Sequence, residues 1–128
     1  ISQLKGRNMI LHTIQMAKWR KAKALGIPLL DTTVKTGESC FAPTWDMVHG
    51  VKSGELSEEQ YTILYKRKML DSIKSNPARW GDALKMDVVA VSCFCPDGVF
   101  CHRYILADIL SQLCRHNHVE CVRGGEII

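Results

Sequence analysis

Three cysteines, a histidine and an arginine fall within eleven residues, as Cys93-Phe94-Cys95 followed by Cys101-His102-Arg103. A thiolate is both a nucleophile and a metal ligand. An imidazole moves protons near neutral pH, and a guanidinium holds phosphate or carboxylate. Cys93 and Cys95 are two apart, so extended chain puts them on one face. Cys101 is expected at the start of a helix, where free amides lower a thiol's pKa and receive anions. Arg103 in the first helical turn opposes the macrodipole, a placement that makes sense with an anion between it and the amides.

Three chemistries fit this stretch. In the first, Cys101 is a nucleophilic or redox thiol, Arg103 and the loop amides hold a phosphate or carboxylate, and His102 or Cys95 assists. In the second, Cys93, Cys95, Cys101 and His102 are ligands for zinc or iron. In the third, the cysteines are small core residues and the arginine pairs with a local acid. The spacing matches neither a zinc finger nor the Cys-x-x-Cys of thioredoxin-type redox pairs.

Cys114, His116, His118 and Cys121 form a second group, so eight of the eleven cysteines and histidines lie between residues 93 and 121. The helix expected between the two groups is over ~20 Å long, which keeps them from sharing one ion within a chain. Arg115, His116 and His118 suit a helix C-terminus electrostatically.

The elements that must position these residues can be read from the patterning. Asp87–Cys95 (DVVAVSCFC) is a near-continuous apolar run, suited to a central strand covered on both faces. Pro96-Asp97-Gly98 turns the chain into a helix over Cys101–His116, with Ile105, Leu106, Ile109, Leu110 and Leu113 on its apolar face. Upstream, Met9–Gln15 and the β-branched run Leu29–Val34 are strand candidates, separated by a short basic helix over Ala17–Leu25 and the Gly26-Ile27-Pro28 punctuation. Lys35–Pro43 reads as a loop. Thr44 can cap a helix through Val48 that Gly50 helps to end. Ser57-Glu58-Glu59-Gln60 is a capping box that opens the clearest helix, with Tyr61, Leu64, Tyr65, Met69 and Ile73 at helical spacing. Tyr61 and Tyr65 are expected in the core. Asn76-Pro77 ends that helix and opens another through Trp80 and Leu84. Val119–Val122 is a last short strand, and Gly124-Gly125 is expected to loosen the tail. Alternation of strands and helices predicts an α/β fold, a small three-layer sandwich on a short, mostly parallel sheet.

The chain has 128 residues, 46% of them apolar and 23% charged. That is one domain's worth, with residues 1–8 a candidate flexible extension, and the composition rules out wholesale disorder. No apolar run approaches a membrane span, so no membrane partner is expected. The stretch Met9–Ile14 is too short for a signal peptide, which makes the cytoplasm the expected compartment and a disulfide framework unexpected. The formal charge of +4 is uneven: residues 1–30 carry six Lys or Arg and no acid. Such a beginning suits nucleic acid or another acidic partner, or is a solvated basic face. Only Trp19 interleaves Lys18, Arg20, Lys21 and Lys23, so no stacking platform for single strands is visible.

The run CFCPDGVFCHRYILADIL, with LLDTTVKTG and FAPTWDMV upstream, resembles the domain-of-unknown-function family 488 of bacteria and their bacteriophages, in its short branch. The resemblance covers about Thr13 to Ile127. It implies a Rossmann-like α/β sandwich and points to Asp31, Thr32, Lys35, Pro43, Trp45, Cys95, Cys101, His102 and Arg103, without assigning a reaction. Of these, Asp31 reads as an acid–base group or, better, an ion-pair partner for Lys35 or Arg103. Lys35 is a phosphate candidate, and Trp45 stacks a base or sugar unless it is buried. The expectation is a cysteine-dependent enzyme acting on a nucleotide, nucleic acid or other phosphate compound. Its thiolate would be Cys101, its oxyanion clamp Arg103, its proton carrier His102 and its partner thiol Cys95, with no organic cofactor. The rivals are an accessory module docking on nucleic acid or a host protein, and a zinc or iron site.

Overall fold

The computed structural model describes residues 4–96 and 98–128. Residues 1–3 of the expected extension, and Asp97 of the Pro96-Asp97-Gly98 turn, lie outside the described residues. Leu4, placed in that extension, is buried in the core instead.

The elements are β1 (Asn8–Gln15), a 3-10 turn over Met16–Lys18, α1 (Trp19–Ala24), β2 (Leu29–Asp31), α2 (Trp45–Ser53), α3 (Glu58–Ser75), α4 (Pro77–Leu84), β3 (Val88–Cys93), α5 (His102–His116) and β4 (Glu120–Ile127). The four strands form one sheet in the order β2-β3-β1-β4, and every pairing is parallel. This is a Rossmann-like α/β fold, as expected.

The period of two in the strands sorts the two faces. Leu11, Val89 and Val91 join Tyr65, Met69, Trp80, Leu106 and Leu110 in the larger core, beneath α3, α4 and α5. Ile14 and Ala90 face the other way, into a small cluster with Ala22 of α1 and Ile127. Burial of a leucine such as Leu106 or Leu110 stabilises by roughly 2–3 kcal/mol, so the α5 side dominates the packing.

Three boundaries differ from the sequence reading. The expected strand Leu29–Val34 stops at Asp31, because the Asp31 carboxylate takes the Thr33 amide and hydroxyl and turns the chain. The expected end of α2 near Gly50 moves to Gly54, which adopts φ +83. Gly50 stays helical, and the Leu56 side chain lies where its Cβ would be. The expected strand Val119–Val122 runs on through Gly124-Gly125 to Ile127. A bulge between Leu11 and His12 absorbs the glycines, and the His12 ring rests where a Gly124 side chain would stand. The Ser57 box forms in full, with Ser57 accepting from the Gln60 amide and Gln60 reaching back.

Among the described residues no helix is long and apolar enough to cross a membrane.

Candidate active site

Parallel strands leave their carboxyl ends along one edge, where loops can form a ligand crevice. Here β2 delivers the Asp31–Lys35 turn and β3 delivers Cys93 to that edge. Beyond β3 the chain bends through Phe94 and Cys95. The Val99 amide donates to the Pro96 carbonyl at 3.3 Å, and Gly98, at φ +74, donates to the Tyr104 hydroxyl at 3.1 Å. Cys101 then stands at the N-cap of α5.

The Arg103 side chain is fully buried and holds this bend in place. Its Nη1 donates to the Cys95 carbonyl at 2.6 Å and to the Cys93 sulfur at 3.0 Å. Its Nη2 donates to the Pro96 carbonyl, the Tyr104 hydroxyl and, at 2.6 Å, the Glu126 carboxylate on β4. Burial works against the guanidinium's charge, but Glu126 and the Cys93 sulfur outweigh it and raise its pKa.

The bend brings the Cys93, Cys95 and Cys101 sulfurs within 4.8 Å of one another. Three thiols that close favour a single shared negative charge, because one thiolate can accept from two thiols while a second charge is repelled. Cys95 is half-buried where the others are buried, the least costly place for that charge. The neighbouring Cys101 and Cys93 sulfurs hold its pKa far below the usual thiol range. Cys101 is pushed strongly up by those same two sulfurs and by burial. The group can also supply three thiolate ligands to one metal ion.

His102 is buried beside Cys101. Its Nε2–H donates to the Thr32 carbonyl at 2.8 Å, a bond only that tautomer can make, and Nδ1 is left as an acceptor 3.7 Å from the Cys101 sulfur. Burial lowers its pKa to about 4, so the ring is neutral at pH 7. Thr32 is itself held by its hydroxyl bond to the Ser92 carbonyl. The Asp31 carboxylate accepts from the hydroxyls of Thr33 and Thr36. Gly37 closes this turn against the backbone: a Cβ there would lie 2.5 Å from the Asp31 carbonyl oxygen. A second brace comes from α3, where Lys68 donates to the Ser39 and Ala42 carbonyls, Tyr65 to that of Phe41 and Ser72 to that of Cys40.

A cavity of about 470 Å³ opens between these loops. Cys93, Cys95, Cys101, His102 and Tyr61 line it, with Phe94 and Phe100 beside them. Lys35, Lys52, Glu58 and Trp45 supply the charge and the exposed ring around it. The family model described as the active DUF488-N3 subclade matches residues 18–113, which contain the sulfur cluster and every lining residue. The chain belongs to the DUF488 family. No curated protein and no solved structure matches it.

The DUF488 resemblance and the cavity agree on Lys35, Pro43, Trp45, Cys95, Cys101 and His102, all of which line it. Asp31, Thr32 and Arg103 sit behind the wall, and four expectations change accordingly. Burial and the neighbouring sulfurs push the Cys101 thiol up while Cys95 is pulled down, which favours Cys95 over Cys101 as the thiolate. Arg103 is spent on protein groups and presents no clamp to the cavity. Asp31 binds threonines in place of Lys35 or Arg103. His102 lies outside the three-sulfur group that can share an ion. Trp45 is half exposed, 5.5 Å from the His49 ring, and so not buried.

The second cysteine–histidine group forms no metal cluster among the described residues. Burial raises the Cys114 thiol to about 12, and its sulfur packs on Met9. In the basic segment, the Arg20 guanidinium sits 4.7 Å from the Trp19 ring centroid and Lys23 also lies over that ring. The residues that sequence reasoning passed over are Lys52, Glu58 and Glu126, and Tyr61 was read only as core. Glu58 is marked only as part of the Ser57 capping box, and no local motif ties Lys52, Glu126 or Tyr61 to the cysteines.

Proposed function

We propose that this DUF488 protein is a thiol-dependent enzyme whose nucleophile is the Cys95 sulfur, acting on a small anionic substrate such as a nucleotide or other phosphate compound. The observation that carries this reading is the sulfur triad opening into a cavity that also holds Lys35 and Lys52. A thiolate that persists near neutral pH is available for attack without a separate base. The neighbouring Cys93 and Cys101 sulfurs stabilise its charge. The neutral His102 ring offers Nδ1 to the Cys101 proton. Lys35 and Lys52 attract the substrate's anionic group, and Trp45 offers a face to a planar one. Arg103 serves by holding the bend that carries Cys95.

Iodoacetamide alkylation, followed by pH and mapped by mass spectrometry, tests this reading. One thiol, Cys95, is expected to react fast, at a rate that stays level from pH 8 down to pH 5, where an ordinary thiol slows about tenfold per unit. Cys95→Ser removes that phase. A Cys95 that reacts no faster than free cysteine at pH 6 sinks the proposal.

The grouping of the sulfurs within 4.8 Å favours a second reading, in which Cys93, Cys95 and Cys101 would hold a zinc or iron ion as thiolates. Elemental analysis separates the two. One equivalent of zinc or iron, with thiols protected until a chelator is added, supports the metal.

A further inference from the structure

Tyr61 is 3% exposed, and its ring is packed between Tyr65, at 6.3 Å, and Phe100, at 5.4 Å. Buried tyrosine hydroxyls almost always find a hydrogen-bond partner, because leaving one unpaired costs roughly 1–3 kcal/mol. Tyr65, one turn further along α3, obeys this rule with a 2.6 Å bond to the Phe41 carbonyl. The Tyr61 hydroxyl has no partner among the described residues. The residue lines the cavity with the three cysteines, and their sulfurs are close enough to raise its phenol further beyond the effect of burial. A buried donor, unpaired in the protein and beside a nucleophile, points to a partner supplied by the ligand.

We infer that the Tyr61 hydroxyl donates a hydrogen bond to the substrate's acceptor oxygen at the atom attacked by Cys95, and so belongs to the catalytic machinery. The inference rests on the thiol reading above and adds the class of reacting centre: an electrophilic carbon bearing a doubly bonded oxygen. The Cys95 sulfur forms a bond to that carbon, and the C=O electron pair moves onto the oxygen. The developing oxyanion accepts from the Tyr61 O–H. Collapse restores the C=O bond and expels the leaving group with its bonding pair. A donor already in place stabilises such an oxyanion more than it stabilises the ground-state carbonyl.

Two reagents test the assignment on the full chain. p-Nitrophenyl acetate acylates Cys95 through an oxyanion and releases p-nitrophenolate. Iodoacetamide alkylates the same sulfur by displacement of iodide, with no oxyanion at the reacting carbon. Tyr61→Phe keeps the ring packing and is expected to slow acylation roughly 100-fold, the scale of one lost oxyanion donor, while alkylation stays within about twofold. A purely structural role would slow both together. Tyr65→Phe, which removes a hydroxyl one turn away, is expected to lower Tm without moving the acylation-to-alkylation ratio. If Tyr61→Phe fails to fold, 3-fluorotyrosine at position 61 takes its place; its more acidic hydroxyl is expected to raise the ratio, and an unchanged ratio counts against the role. An unchanged ratio in folded Tyr61→Phe, with Cys95 still alkylated fast, overturns the Tyr61 assignment alone. Slow alkylation of Cys95 in the unsubstituted protein overturns the parent reading.

Discussion

Glu126→Gln is expected to destabilise the protein by about 3 kcal/mol, although Glu126 lies far from the cavity in sequence. The Arg103 side chain is 0% exposed and that of Glu126 is 16% exposed, with Nη2 and Oε2 2.6 Å apart. Two unit charges with centres about 4 Å apart attract by roughly 4 kcal/mol at an effective dielectric of 20, and removing one partner of a buried pair costs about 3–5 kcal/mol. The slight exposure of Glu126 argues for the lower end. Arg103→Met is expected to cost more, about 5 kcal/mol, because it also strands the Cys95 and Pro96 carbonyls and the Tyr104 hydroxyl. The double variant Arg103→Met/Glu126→Gln is expected to cost less than the two singles added, by about 3 kcal/mol. Urea unfolding at pH 7, followed by circular dichroism, measures all three. A Glu126→Gln cost under about 1 kcal/mol, together with an Arg103-dependent rise in Tm on adding inorganic phosphate, would refute the reasoning and return the guanidinium to anion binding.

The remaining predictions concern the turn and the imidazole behind the sulfurs. Gly37→Ala places a methyl group 2.5–2.6 Å from the Asp31 and Thr33 backbone. It is expected to cost about 2 kcal/mol and to speed amide exchange in residues 33–37, read by thermal melting and hydrogen exchange. His102, held near pKa 4 by burial against an ordinary 6.5, binds its proton in the unfolded chain before it does so in the folded one. Its contribution to stability is therefore complete above pH 6.5 and lost as pH falls towards 4, by about 3 kcal/mol in all. Urea unfolding across that range, compared with His102→Gln, is expected to show this difference, and an imidazole resonance titrating near 6.5 would contradict it.

What the sequence made legible follows from where each signal lives. The β3 run, the Ser57 capping box and the amphipathic face of α5 are local patterns, and each appears at or within a few residues of its expected place. The site is legible for the same reason: Cys93, Cys95, Cys101 and His102 are joined by one strand, one bend and one helix start. Roles were harder to read than positions. The charge of Arg103 looked like a ligand clamp because its partner, Glu126, is on a strand paired far away in the chain. The ionised sulfur was assigned to the helix start, because helix dipoles can be read from sequence whereas relative burial of three neighbouring thiols cannot. Gly124-Gly125 was read as slack because glycine usually is; the His12 ring that occupies the space belongs to β1. Tyr61 has the spacing of a core residue and is one, but nothing in that spacing says whether its hydroxyl has a partner.

The Arg103–Glu126 bond also sets an order of events during folding. Glu126 is shared by Thr13 on β1 and by Arg103, so the bend that gathers the sulfurs is secured only when β4 has docked beside β1. Pairing residue 13 with residue 126 closes a loop of most of the chain, a slow kind of contact. Until that closure the guanidinium lacks its counter-charge. A chain that stopped before residue 126 would thus carry all six cysteines but an Arg103 without its carboxylate partner.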